Sequence, residues 1–296
     1  MFFLWASYYH FDMQKTNDWT EEITPQTSLF DLKLRQVWQY RDLMLLFVRR
    51  DFVAQYKQTI LGPLWHFIQP IITAFLFTFV FNTIAGISTE GVPPFLFYLS
   101  GITTWNYFAR TLNSTSNTFV SNAHIFGKVY FPRLVMPLST VISGLIAFSI
   151  QFGLFLVFLA YYYFFKENTI LNPNRYILLT PLFLLVMATL GLGLGIIISS
   201  LTTRYRDLSI LISFGVQLLM YISPVIYPIS AMPALYRPFV AYNPIAPLIE
   251  GFRYAFLGVG TFDWIGLGIS TIISLMVFLI GVVLFNRIER NFMDTV

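Results

Sequence analysis

Long apolar runs broken by short polar turns dominate this chain. Six of them approach or exceed the roughly 20 residues that a bilayer-crossing helix needs. They cover residues 64–84, 94–115, 134–164, 176–201, 208–226 and 264–285. The third is longer than a bilayer requires, which predicts a tilted or protruding helix. Turn formers separate the runs at 86–94 and 168–174, and a very short break lies at 202–207. Within the fourth run, Gly191 and Gly195 have the small-xxx-small spacing that lets membrane helices approach closely.

Two stretches depart from this pattern. Upstream of the first span, Ser28-Leu29-Phe30-Asp31 fits a helix capping box. Leu34, Val37, Met44 and Val48 then fall near one helical face, with Lys33, Arg35, Arg41, Arg49 and Arg50 polar. The segment 28–55 therefore reads as an amphipathic helix on the inner membrane surface, serving as part of a gate or as a plain anchor. Residues 1–27 form an N-terminal extension. Its first ten residues are apolar but lack the basic region and cleavage site of a signal peptide. Between the fifth and sixth runs, Pro224, Pro228, Pro233, Pro238, Pro244 and Pro247 interrupt an apolar stretch. No unbroken helix survives so many prolines. Broken apolar backbone at membrane depth needs protein around it, so two short helices dipping into the outer leaflet and returning are expected.

Composition strengthens the membrane reading. Apolar types make up 56% of the 296 residues and charged types only 11%, against about 25% charged in soluble domains. The mean hydropathy is +0.67. A net charge of +4 is too small and too dispersed to indicate nucleic acid. With no cysteine, thiolate metal sites and thiol catalysis are excluded. Basic residues orient the spans, because cytoplasmic loops retain Lys and Arg. With the N-terminus inside, thirteen of 18 basic residues fall on inner segments and four on outer ones, so both termini are expected in the cytoplasm. The tail is 291–296, and the six-span body covers 56–290.

Catalytic motifs are missing. The Gly127-Lys128 pair is followed by Val129 and not Ser or Thr, so there is no ATP-binding P-loop. His10, His66 and His124 are scattered, and no metal site is expected. No buried acidic relay of the kind proton-coupled carriers use is evident in the spans. Energy is thus expected from another polypeptide. Arg110, inside the second span, is either a functional intramembrane charge or a snorkelling one. Asp207 stands where it can cap the fifth span.

Four segments in order carry a family resemblance. They are Tyr56-Lys57-Gln58-Thr59-Ile60-Leu61-Gly62-Pro63-Leu64-Trp65 with Pro70; Gly127-Lys128-Val129-Tyr130-Phe131-Pro132-Arg133-Leu134 with Pro137; Thr203-Arg204-Tyr205-Arg206-Asp207-Leu208; and Asn243-Pro244 with Pro247 and Arg253. Together with the six-span frame they resemble the transmembrane permease of type-2 ATP-binding-cassette exporters that move polysaccharides such as O-antigen, capsule or teichoic acid. The resemblance implies a multi-pass protein of the bacterial cytoplasmic membrane. It also implies a homodimer working with two copies of a separate ATPase, which binds ATP and Mg, on a lipid-linked polysaccharide. This chain itself would bind no cofactor. His124, Phe126, Lys128, Val129, Arg133, Arg204, Arg206 and Asp207 would couple to the ATPase, with a short coupling helix over 122–132. Arg49, Arg50, Tyr56 and Lys57 would belong to the gate and interface helix.

A long polymer needs a continuous channel, which two copies about a two-fold axis can line. The first span offers Phe75 and Phe79 as sugar-stacking rings. The fifth offers Ser213, Gln217 and Tyr221 at i, i+4 spacing on one face. Ordinary lipid or packing contacts explain such aromatics equally, and helix–helix hydrogen bonding explains the polar stripe equally. A permease for a small lipid or drug, and an integral-membrane lipid-modifying enzyme, are the competing readings.

Overall fold

The structure is a computed structural model. It describes residues 34–57, 59–126, 131–166, 170–202 and 207–292. The extension 1–27 and the capping box at Ser28 to Asp31 lie outside them. All regular structure among the described residues is helical.

The amphipathic segment is two helices, α1 (Leu34–Gln39) and α2 (Arg41–Tyr56). The chain tightens between them, where the Tyr40 N–H bonds both the Gln36 and Val37 carbonyls at 3.2 Å. A 3-10 turn at Gly62–Leu64, α3 (Trp65–Phe77) and a π-type turn at Thr78–Ile84 then form one continuous 23-residue apolar stretch. Pro63 opens it, where a missing N–H costs nothing.

At the centre stands α4 (Pro94–Ser116), packed by α3 and by four helices that follow it: α6 (Val135–Phe165), α7 (Thr180–Thr202), α8 (Leu208–Ile222) and α10 (Ala246–Leu257). The short helix α5 (Thr118–Phe126) continues from α4. Several buried hydroxyls of α4 donate to its own carbonyls: Ser100 to Phe97 O, Thr103 to Leu99 O, and Thr104 to Ser100 O. The hydroxyls of Tyr98, Tyr107 and Thr111 on the same helix are buried without a partner among the described residues.

This changes the span count that length and apolarity alone support. Among the described residues, four helices are long and apolar enough to cross: Gly62–Ile84, Val135–Phe165, Arg175–Thr202 and Trp264–Arg287. Helix α4 is long enough at 23 residues but carries Thr, Ser, Asn and Arg110. Helix α8 is apolar but has 15 residues, about 22 Å at the usual rise. It stops at Ile222 and not at 226. Ser223 precedes Pro224 and is extended, with ψ 150°, as the ring of a following proline dictates.

The close approach expected from glycine spacing is present. A Cβ on Gly195 would lie 2.5 Å from Thr115 Cβ of α4. One on Gly193 would lie 2.7 Å from the backbone of Phe278, which belongs to α11 (Trp264–Phe292). Alternate glycines of α7 thus seat two different helices. The Pro-rich region holds two helices, as expected, but of unequal kind. In α9 (Arg237–Ala241), Phe239 is exposed, whereas α10 is buried along most of its length. Pro238 and Pro247 sit in the first turns of the two helices, and α10 ends on Gly258 at φ 76°.

Candidate functional site

At the C-terminal end of α4, helices α2 and α5 and the segment before α6 come together through aromatic rings. Phe47 of α2 lies 5.7 Å from Phe131, Phe131 lies 5.7 Å from Phe126, and Phe126 lies 5.7 Å from Phe119. Phe119 stacks on Phe285 of α11 at 4.7 Å. Ring pairs at these separations add modest attraction to the burial of large apolar area. The Arg133 guanidinium lies 5.8 Å from the centre of the Phe126 ring. Phe126 is therefore buried, and its side chain takes no part in an outward apolar patch. The helix begins at Thr118, ahead of the expected 122, because Thr118 to Phe126 supply the inward ring row. The His124 side chain, Lys128, Val129, Arg204 and Arg206 lie outside what the structure describes. Asp207 precedes α8 but makes no capping bond with its carboxylate. Its φ −65°, ψ −23° is already helical, whereas a side-chain N-cap needs extended backbone.

Arg49 and Arg50 are not equivalent. Arg49 faces out. Arg50 lies over the Phe47 ring at 4.9 Å, pairs with Asp51 at 2.7 Å, and donates to Asn122 Oδ1 of α5 at 3.2 Å. Asn122 in turn donates to Thr118 O at 3.0 Å. The last turn of α2 carries Tyr56, whose hydroxyl meets His66 Nε2 in the first turn of α3. Burial raises the Tyr56 phenol above its ordinary value, and the tautomer of His66 sets which of the two groups donates. Lys57 is exposed. The residues Arg50, Asn122, Tyr56 and His66 thus form a polar route from α5 through α2 to α3. Composition alone shows neither contact. The signal for the second is Gly62-Pro63, which turns the chain back between Tyr56 and His66.

Of the proposed channel residues, Phe75 on α3 and Phe79 in the π-type turn after it are exposed, with Phe75 4.7 Å from Phe95. Ser213, Gln217 and Tyr221 share one exposed face of α8. Ser213 donates to Ser209 O at 3.1 Å. Gln217 has no hydrogen-bond partner among the described residues of the chain, so intrachain helix bonding does not explain it. Only Val216 of α8 is buried, and α3 and α8 both flank α4.

The N-terminal part of α4 packs against a buried ion pair whose partnership the sequence reading missed. Arg253 and Glu250, one helical turn apart on α10, are 1% and 4% exposed. Arg253 donates to Pro224 O and Val225 O at 2.5 Å each and to Glu250 Oε1 at 3.4 Å. Its guanidinium centre lies 3.8 Å from the Phe97 ring centroid. Gly101 makes room for it: a Cβ there would stand 2.6 Å from Arg253 Nη2. The pair joins the chain after α8 to α10 and α4. Its i, i+3 spacing is the signal that was available.

Comparison with known proteins places these features in context. The family model described as ABC-2 type transporter matches residues 42–257. An O-antigen export system permease protein RfbA of Klebsiella pneumoniae is 27% identical over 254 residues, covering 86% of this chain and 94% of that protein. RfbA of Myxococcus xanthus is 26% identical over 226 residues, covering 75% and 83%. The polysialic acid transport protein KpsM of Escherichia coli is 20% identical over 242 residues, covering 81% and 91%.

Proposed function

Because the chain belongs to the ABC-2 type transporter family, we propose that it is the membrane subunit of an exporter that moves a lipid-linked polysaccharide out across the cytoplasmic membrane. The observation that carries this reading is the near full-length match to relatives named for O-antigen export. A separate ATPase drives it, and two copies of the chain form the channel. Six spans cross, with both termini inside. Helix α4 crosses because neighbouring helices enclose its polar side chains. Helix α8 crosses with help from the segment that follows it, and α9 and α10 form a hairpin that enters the outer leaflet and returns.

In this reading, α5 is the surface on which the ATPase pushes. Movement of α5 reaches α2 through Asn122 and Arg50. It passes from α2 to the first span through Tyr56 and His66. The exposed faces of α3 and α8 meet their copies across the two-fold axis, where Phe75 and Phe79 stack on sugar rings and Gln217 bonds sugar hydroxyls. Aromatic faces and few fixed polar contacts suit a chain that must slide. The test is co-expression with a candidate partner ATPase. The two should co-purify, and ATP hydrolysis by the complex should support appearance of polysaccharide outside. An ATPase that neither binds nor responds to this chain contradicts the reading.

A further inference from the structure

A cavity of about 250 Å³ opens among α2, α3, α4 and α6, next to the Tyr56–His66 contact. Gln55, Gln69, Asn106, Asn113 and Gln151 line it, with His66 and Arg110. Every one is neutral or cationic, and no carboxylate contributes to the wall. Asn106 donates to Gln151 Oε1 at 3.1 Å, and Arg110 donates to Gln55 Oε1. Arg110 is half-buried and pairs with no carboxylate among the described residues. The nearest acid, Asp51, borders a smaller adjoining space but is engaged by Arg50 at 2.7 Å. The region around the cavity therefore holds one guanidinium charge that no side chain balances.

An uncompensated cation inside a helical bundle is costly unless something anionic or water answers it. A guanidinium answers phosphate oxygens well, because its planar fork offers several donors at once. The surrounding amides can donate to the remaining oxygens. The cavity also lies where α2 joins the first span, beside the surface helix. It is thus reachable from the level of lipid headgroups, and Trp65 and Phe148 in its wall suit an apolar tail. We propose that this cavity binds the phosphate-ester headgroup of a membrane lipid, with Arg110 as the charge-bearing contact. The proposal rests on the lipid-linked-substrate reading only for the choice of the first probe.

The test uses the full-length chain purified in detergent. Binding of a polyprenyl diphosphate, the corresponding polyprenol, phosphatidylglycerol and inorganic diphosphate is measured by isothermal titration. Wild type should bind polyprenyl diphosphate at least 10-fold more tightly than polyprenol. Arg110→Gln should lose at least 10-fold, while Arg110→Lys keeps part of the affinity and Arg175→Gln, on the opposite side, changes nothing. Gln69→Glu sets a carboxylate on an exposed part of the wall without touching Arg110, and should also weaken binding if Arg110→Gln fails to fold. Phosphatidylglycerol binding with the same Arg110 dependence supports the site and assigns it to ordinary lipids. Inorganic diphosphate binding as strongly as the lipid overturns the lipid assignment. Equal binding of polyprenol and polyprenyl diphosphate, or affinities unaffected by Gln69→Glu and Arg110→Gln, overturns the site. Loss of polysaccharide export by the wild-type complex, measured separately, bears on the function and not on this cavity.

Discussion

Replacing Arg253 with Met tests whether the end of the bundle at the N-terminus of α4 is built around one buried ion pair. Methionine is apolar and occupies part of the volume, so the change removes mainly charge and donors. Glu250, 4% exposed, loses its partner 3.4 Å away. The carbonyls of Pro224 and Val225 lose donors at 2.5 Å. Stripping one member from a buried pair costs about 3–5 kcal/mol, and each unpaired carbonyl costs about 1–3 kcal/mol. These penalties overlap, because the carbonyls and the carboxylate share one guanidinium, so a loss of about 4 kcal/mol is expected. The double change Glu250→Gln with Arg253→Met removes the stranded charge and should be less damaging than Arg253→Met alone. Arg253→Lys should fall between, since one ammonium cannot bond both carbonyls while stacking on Phe97. Gly101→Ala should act like a mild Arg253 variant, because its Cβ claims the space of Nη2. Unfolding of purified variants, followed by tryptophan fluorescence against denaturant, measures these four and Glu250→Gln alone. An Arg253→Met variant within 1 kcal/mol of wild type, or a double variant as unstable as the sum of its singles, refutes the reasoning.

Further tests address the coupling route, the channel, the packing and the topology. Arg50→Ala should leave ATP hydrolysis by the complex running while export falls several-fold, read by parallel hydrolysis and export assays. Gln217→Leu should reduce export with the dimer intact by size-exclusion chromatography, because no partner among the described residues depends on that amide. Gly195→Leu should destabilise the chain by about 1–3 kcal/mol, since a Cβ there meets Thr115 at 2.5 Å, again read by unfolding. Single cysteines at Ser88 and Asn172 should label from outside the cell and one at Ser121 only from inside. Labelling at Ser121 in intact cells contradicts the orientation.

The apolar runs marked the long helices well, because membrane burial imposes a length and a composition that survive in any window of sequence. The glycine spacing in α7 announced a close contact for the same reason: only small residues allow it. The middle helix α4 was legible as a run but not as the hub, since several of its Thr and Ser hydroxyls turn back onto its own carbonyls and polar types do not announce a buried helix. Helix α8 was over-extended in the sequence reading because Val225 and Ile226 are as apolar as the helix before them. The conformational veto came from Pro224. Phe126 looked like a docking residue beside a lysine, yet its ring is used to join α5 to Phe131 and Phe119. Contacts such as Arg50 to Asn122 and Arg253 to Pro224 join residues far apart in sequence, and neither periodicity nor composition carries that information.

The central claim is that this chain is the membrane passage through which a separate ATPase drives a lipid-linked polysaccharide. The most direct measurement is made in cells deleted for the chain, with lipid-linked polysaccharide quantified on the inner and outer faces of the cytoplasmic membrane. The account predicts accumulation of full-length polymer inside, and its reappearance outside only when the chain and an ATP-hydrolysing partner are restored together. Normal export in the deleted cells, or export restored by the chain with a hydrolysis-dead ATPase, contradicts it.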